Sequence, residues 1–110
     1  MVRENDCVIA STTLPAEMDA EALGRMLVAE RLAACVQVHP PVRSVYRWQG
    51  TVETALEQLL HIKTAARRVE DLRRRLRDLH PYELPELVVV PIVAGDPAYL
   101  AWLVDSTTPG

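Results

Sequence analysis

The segment 79–86 is rich in titratable side chains, with an imidazole, a phenol and two carboxylates in the run Leu-His-Pro-Tyr-Glu-Leu-Pro-Glu. It lies between an arginine-rich amphipathic run and an apolar run. Pro81 and Pro85 cannot continue a helix, and they bias His80 and Leu84 toward extended backbone. Because bland junctions of this kind use glycine, asparagine or serine, we interpret the segment as a candidate site.

Metal binding is the first hypothesis, with His39, His61, His80, Cys7 and Cys35 as possible ligands. No two of them have HxxxH or CxxC spacing, so a site needs different elements or subunits. Cys35 and His39 are four apart, which separates them by about 13 Å in a strand. The alternative for Cys35 is a small buried residue, and for His39 and His61 a solvated or cross-strand partner. His80 is the best candidate, against the alternative of a cation at a helix C-terminus.

A pocket for a small molecule or an anion is the second hypothesis. In a cleft between subunits, Trp48, Lys63, Tyr82 and Glu83 would supply a flat ring, charge and hydrogen bonds. Glu57 and Lys63 have odd numbers on one extended run, so they share a face, and Lys63 could pair with Glu57 or Glu83. The alternative is a structural salt bridge with packed aromatic rings at a subunit interface.

Nucleic-acid binding and catalysis have less support. The helix predicted over 67–79 is dense in arginine, but Glu70, Asp71 and Asp78 interrupt it, which favours a solvated face with internal ion pairs. The formal charge of −3 argues against nucleic acid as the general partner. The sequence has no glycine-rich phosphate loop, GxSxG or HExxH motif, and we expect no enzymatic activity.

The apolar pattern predicts one domain over residues 1–110. Strands are predicted over 7–13, 35–48, 51–64 and 87–92, with a turn at Gln49-Gly50 and with Pro40-Pro41 interrupting 35–48 at a bulge or an edge. Helices are predicted after Pro15, over 67–79 and from Pro97 with Asp96 as its cap. This order predicts a ferredoxin-like α+β fold, a split βαβ with an antiparallel sheet, both main helices on one face and a short C-terminal helix.

The first helix is predicted to bury two rows of side chains. One row is Ala20, Leu23 and Leu27, and the other is Ala22, Met26, Ala29 and Ala33. Together they make a broad apolar stripe suited to lie on a sheet.

The central hairpin is too long for its own domain. A strand of ~14 residues spans roughly 46 Å, whereas a domain of this size is about 35 Å across. An overhanging hairpin has unpaired edges that need covering, so we infer that another subunit buries its far end, with Tyr46 and Trp48 in the contact. The alternative is that Pro40-Pro41 breaks the strand into shorter pieces inside a monomer.

The composition gives no sign of secretion or of a membrane anchor. No apolar run approaches the ~20 residues of a membrane span, and residues 1–6 lack a signal-peptide pattern. Two cysteines without CxxC spacing do not make a disulfide framework. We therefore expect a cytoplasmic protein with reduced thiols.

Four separated motifs, in this order and spacing, resemble the CutA divalent-cation tolerance family. They lie at 31–36, 45–50, 62–64 and 80–86, and the tail 95–102 is similar as well. The resemblance implies a cytoplasmic homotrimer of ferredoxin-like subunits, related in shape to the PII signalling proteins. It also implies a link to tolerance of copper and other divalent metals, without an established enzymatic reaction.

The resemblance further implies a copper site built from a cysteine at the end of the first strand and two adjacent histidines before the Pro-Tyr pair. Here Ser11 stands at the cysteine position, and Leu79-His80 replaces the two histidines. A hydroxyl is a far poorer copper ligand than a thiolate, and leucine is none. The sequence therefore departs from that site at two of its three positions.

Residues and resemblance together predict a non-enzymatic trimer that binds copper, another divalent cation or a small ligand in an intersubunit cleft. The alternative is a PII-like signalling trimer that binds a metabolite or a protein partner without a physiological metal. Neither hypothesis involves nucleic acid or a membrane. The predicted cleft residues are Cys35, Trp48, Glu57, Lys63, Tyr82 and Glu83, and the predicted metal residue is His80.

Overall fold

The computed structural model describes Arg3 and residues 6–110, so four residues of the predicted 1–110 domain lie outside the described part. The elements are β1 Cys7–Pro15, α1 Ala20–Ala29, β2 Cys35–Val38, β3 Val42–Trp48, β4 Thr51–Ala65, α2 Val69–Leu79 after a short 3-10 turn, β5 Val88–Pro91 and α3 Pro97–Ser106. No helix in this part of the chain is long and apolar enough to cross a membrane.

The strands form one open antiparallel sheet in the order β2-β4-β1-β5, and β3 continues the line of β2 along the far half of β4. This is the order that a split βαβ chain produces. Helices α1 and α2 pack on one face, where Leu27 and Leu72 meet Leu14, Leu60 and other buried residues. Helix α3 covers a small part of the opposite face. The predicted antiparallel α+β architecture is confirmed.

The hairpin of β3 and β4 extends beyond the packed part of the sheet. Its turn places Gln49 and Gly50 at φ 50° and 81°, the two positive values of a type I′ turn. Because β4 runs unbroken for 15 residues, the molecule measures 48 Å along one axis and 25 and 23 Å along the others. The Pro40-Pro41 break is confined to the partner strand, so the predicted long hairpin is confirmed.

A bulge at Pro40-Pro41 shifts the strand register by one residue. Val42 lies opposite Glu57, and Val38 lies opposite Leu60. Three residues therefore face two across this gap, which is the count of a β-bulge. A shift of one residue moves side chains to the other face of the sheet. As a result His39 lies beside Leu59, whose carbonyl accepts its backbone N–H at 2.9 Å, on the face opposite α1 and α2.

Helix α1 buries one of its two predicted rows of side chains and leaves most of the other exposed. The row of Ala20, Leu23 and Leu27 is buried as expected, but Ala22, Met26 and Ala29 are exposed. The buried face includes Gly24 instead. A Cβ at Gly24 would lie 3.2 Å from Val36 Cγ1, so the absence of a side chain there lets the helix approach β2 closely.

Helix α1 also ends four residues earlier than the predicted row implied. Arg31 takes a positive φ of 58°, and its N–H donates to the Val28 carbonyl at 3.1 Å. The Leu32 N–H donates to the Leu27 carbonyl at 2.9 Å. This pair of bonds is a Schellman motif with arginine where glycine is usual. Ala33 is still buried, but it reaches the core from the turn and not from the helix.

The arginines on the exposed face of α2 form ion pairs with neighbouring carboxylates. Arg68 pairs with Asp71, Arg73 pairs with Glu70, and Arg74 lies near both carboxylates. In addition, Arg75 donates two hydrogen bonds, of 2.8 and 2.9 Å, to Glu30 after α1. The predicted internal ion pairs are therefore confirmed. Exposed pairs of this kind stabilise a fold only weakly.

Replacing Arg31 by glycine should stabilise the fold by about 0.5–1 kcal/mol. Glycine removes the clash that a Cβ suffers at positive φ, and part of that gain is offset by the freedom glycine adds to the unfolded chain. The measurement is urea unfolding at fixed protein concentration. Arg31→Ala is the control, because it removes the guanidinium and keeps the Cβ. A glycine variant no more stable than the alanine variant would contradict this account of the helix end.

Candidate functional site

An open cleft of about 770 Å³ lies between the far half of the hairpin and the segment 80–86. Residues of the hairpin form one wall, and the Pro-Tyr-Glu segment forms the other. The lining residues are Thr13, Ser44, Val45, Tyr46, Arg47, Trp48, Glu57, Pro81, Tyr82, Glu83, Leu84 and Glu86.

Hydrogen bonds to β1 fix both ends of the segment 80–86. His80 Nε2 donates to the Thr13 carbonyl at 2.6 Å, and His80 Nδ1 accepts the Tyr82 backbone N–H at 3.1 Å. At the other end the Thr12 hydroxyl donates to the Glu86 carbonyl at 2.7 Å. Two bridges to one strand hold the segment against the sheet without regular secondary structure, so its side chains face the hairpin from a fixed backbone.

Tyr82 and Glu57 join the two walls of the cleft. The Tyr82 hydroxyl donates to Glu57 Oε2 at 2.8 Å, and Glu57 is only 6% exposed. No arginine or lysine in the described part of the chain lies within salt-bridge distance of Glu57. Burial, and then the bond to the Glu57 carboxylate, raise the pKa of Tyr82 to about 12. The phenol is therefore a neutral donor at physiological pH.

The cleft brings together four of the six predicted ligand residues. Trp48 and Glu57 come from the hairpin, and Tyr82 and Glu83 come from the opposing segment. The structure adds Arg47 and Tyr46 to them. Arg47 could not be predicted as a cleft residue, because its place in the lining depends on how the hairpin lies against the segment 80–86.

Cys35 and Lys63 lie apart from the cleft of their own chain. They face each other across β2 and β4, six residues beyond Glu57 and therefore about 20 Å along the strand. Lys63 Nζ lies 5.6 Å from the centre of the Tyr99 ring, a cation–π distance. The suggested pairing of Lys63 with Glu57 or Glu83 is thus absent within this chain, and Tyr82 contacts Glu57 instead.

The copper site that the resemblance implies does not fit the side chains present. Ser11 is opposite His61 on the open face of the sheet, and Leu79 packs against the core. Both nitrogens of His80 already make hydrogen bonds, one to the Thr13 carbonyl and one to the Tyr82 backbone N–H. Metal binding by His80 stays a prediction, and it would require one of these bonds to break.

The remaining histidines form a pair that sequence reasoning left as an alternative. His39 Nε2 lies 3.1 Å from His61 Nδ1, and the ring centroids are 4.4 Å apart. The two rings are therefore each other's cross-strand partners. No group of three or more histidine, cysteine or acidic residues within the described ranges is arranged to hold a metal ion.

Tyr82→Phe should lower the free energy of unfolding by about 1–3 kcal/mol at neutral pH, because it leaves the buried Glu57 carboxylate without its donor. The measurement is denaturant unfolding. Tyr99→Phe is the matched control, since its ring is 40% exposed. Equal stability of the Tyr82→Phe variant and the wild type would show that solvent replaces the phenol at no cost.

The same pair predicts a loss of stability at high pH. The folded pKa of Tyr82 lies above its ordinary value of 10.0, at about 12. The folded state therefore holds the phenolic proton more tightly than the unfolded chain does. The resulting stabilisation is complete below pH 10 and is lost as pH rises toward 12. Between pH 10 and 12 the free energy of unfolding should fall less steeply for Tyr82→Phe than for the wild type. Parallel curves of this free energy against pH would contradict the assignment.

The family model and the relatives that match this chain all carry the same family name. The family model described as CutA1 divalent ion tolerance protein matches residues 8–106. The divalent-cation tolerance protein CutA of Thermus thermophilus is 45% identical over 95 residues, which is 86% of this chain and 92% of that protein. The mouse protein CutA is 40% identical over 86% of this chain, but this chain spans only 53% of the mouse protein.

Solved structures give the same picture. The Thermus thermophilus divalent cation tolerance protein superposes with a TM-score of 0.89 at 42% identity, covering 93% of this chain and 99% of the other. The PII-like protein CutA from Nostoc superposes with a TM-score of 0.86 at 38% identity, covering 94% of this chain and 99% of that chain. None of these names is that of an enzyme.

Proposed function

The chain belongs to the CutA1 divalent ion tolerance family, and we propose that it acts in the tolerance of divalent cations without catalysing a reaction. In this proposal it is a cytoplasmic homotrimer of one-domain subunits that holds a cation or a small ligand in the cleft at a subunit boundary. His80 anchors the segment 80–86. Cys35 and Lys63 join the ligand set only from a neighbouring copy, because their own cleft is about 20 Å away.

The observation that carries the proposal is the Glu57 carboxylate inside an open cleft. An ionised carboxylate offers about four acceptor positions, and Tyr82 fills one of them. The partner is neutral, so the negative charge of Glu57 has no cation to balance it in the described part of the chain. A cation or a hydrogen-bond donor that enters the cleft would meet this charge, and Tyr46 and Trp48 line the same cleft farther along the hairpin.

Exposed apolar surface supports the trimer. Val45, Val52 and Leu56 share one face of the hairpin, and they are 68%, 63% and 55% exposed. On the edge strand β5, Val88 and Val90 are 53% and 48% exposed. Apolar surface of this extent marks an interaction site, and a small domain gains core by oligomerising. The occupant we propose is a second and third copy of this chain.

Light scattering should give a mass of roughly three times the 12.3 kDa chain. Val52→Glu should shift the mass toward that of the single chain, because it buries a charge in the proposed contact. Met26→Glu is the matched control on an exposed helix face and should leave the mass unchanged. A wild type that stays at 12.3 kDa at high concentration would overturn the trimer.

Metal-stripped protein should bind a divalent cation, measured by calorimetry with Zn²⁺ and Cu²⁺ in turn. If the cleft holds the ion, Glu57→Gln should weaken binding by at least about tenfold, since loss of even an outer-shell partner of a metal costs that much. Glu53→Gln, four residues away along the exposed part of β4, is the control. Unchanged affinity of the Glu57→Gln variant would show that the cation does not bind in the cleft.

The second candidate is a PII-like signalling trimer that binds a metabolite or a protein partner without a physiological metal. Two aromatic rings beside charged groups are typical of small-molecule pockets and favour this reading, and the Nostoc relative is described as PII-like. A melting temperature raised by one compound of a metabolite panel, and unaffected by a chelator, would support it over the cation. No response to the panel would count against it.

A further inference from the structure

We propose that His39 and His61 together form a transition-metal site on the open face of the sheet, separate from the cleft. Both imidazoles belong to one chain and meet across neighbouring strands. The proposal goes beyond the cleft function above, and it depends neither on the trimer nor on Glu57.

The distance between the two nitrogens suits one shared ion. Zinc binds imidazole nitrogen at about 2.0–2.1 Å, so two such ligands on a tetrahedral ion are about 3.3 Å apart, and at a right angle about 2.9 Å. His39 Nε2 and His61 Nδ1 are 3.1 Å apart, between these two values. An ion would take the place of the proton that the two nitrogens now share, and each ring would turn until its lone pair points at the ion.

The backbone holds both rings in place before any ion arrives. His61 sits in the central strand β4, between Ser11 of β1 and Gln37 of β2. His39 ends β2, its N–H is bonded to Leu59, and Pro40 follows it directly. The bulge at Pro40-Pro41 supplies the register that puts His39 on the same face as His61. Little conformational freedom is therefore lost when an ion binds.

The surroundings define the class of ion. Both histidines are partly exposed, so an ion can reach them. The flanking side chains, Ser11 and Gln37, offer neutral oxygen atoms and no carboxylate. Imidazole pairs with water at the other positions suit Zn²⁺, Cu²⁺ or Ni²⁺ far better than Mg²⁺ or Ca²⁺, which prefer carboxylate oxygen. Two protein ligands make a site of moderate affinity, in the micromolar range.

Zinc titration of metal-stripped protein tests the site. His39→Gln should weaken Zn²⁺ binding by at least about tenfold, and His39→Gln/His61→Gln should be no weaker than His39→Gln alone, because one imidazole cannot chelate. Thr54→Ala, on the exposed half of β4, is the control, because it keeps both imidazoles and should bind within about twofold of wild type, well below the loss of a ligand. Circular dichroism checks that each variant is folded.

The wild type supplies a second readout that needs no variant. In ¹⁵N spectra of the imidazole rings, Zn²⁺ should shift the signals of two of the three histidines and leave His80 unchanged, since its nitrogens are engaged. Absence of zinc binding, or zinc signals confined to His80, would overturn the proposal. Full affinity in His39→Gln together with loss in Glu57→Gln would place the ion in the cleft, so failure of this site and failure of the cleft proposal are distinguishable.

Discussion

The length of β4 is the constraint on which the rest of the structure depends. A 15-residue strand cannot be covered along its whole length by two helices of 10 and 11 residues, since a helix rises only 1.5 Å per residue and a strand about 3.3 Å. The inner half of β4 is therefore a buried central strand, and the outer half is an exposed hairpin. The cleft lies where these halves meet, and Glu57 is the first residue of β4 on the buried side.

This position explains why the cleft combines burial with openness. Its inner wall is the segment 80–86, which is bonded to β1 at His80 and at Glu86 and is therefore as fixed as the sheet. Its outer wall is the hairpin, in which the outer half of β4 pairs with β3 alone. Glu57 lines this open cleft, yet it is bonded to Tyr82 and is only 6% exposed. The proposed trimer would steady the outer wall and narrow the opening.

Much of the fold followed from the sequence, because long periodic patterns and proline positions are local signals. The hairpin, its turn at Gln49-Gly50 and the cap at Asp96 are of this kind. The end of α1 was not predictable, because Arg31 adopts a conformation for which glycine is the usual signal. The second buried row of α1 was not predictable, because Gly24 has no apolar side chain to signal burial. It is buried because its lack of a side chain lets α1 approach β2 closely.

The candidate site was predictable only in part, for a related reason. Trp48, Glu57, Tyr82 and Glu83 were grouped by chemical type and by resemblance, and strand pairing brings them together. Lys63 was grouped with them because it shares a face with Glu57. That grouping did not take into account the six residues of strand that separate the two. The pairing of His39 with His61 could not be predicted, since counting back from the turn places His39 opposite Leu60 and on the wrong face. Only the bulge corrects that count.

The prolines of the sheet have a consequence for how copies of the chain can meet. One outer edge carries Pro40 and Pro41, and the other ends at Pro91. A proline has no N–H to offer an incoming strand, so neither edge is a continuous template for strand addition, despite the valines along both. Side-by-side growth into fibrils is thereby obstructed, while face-to-face contact stays open. The same residues that interrupt the ribbon thus favour finite assemblies over endless ones.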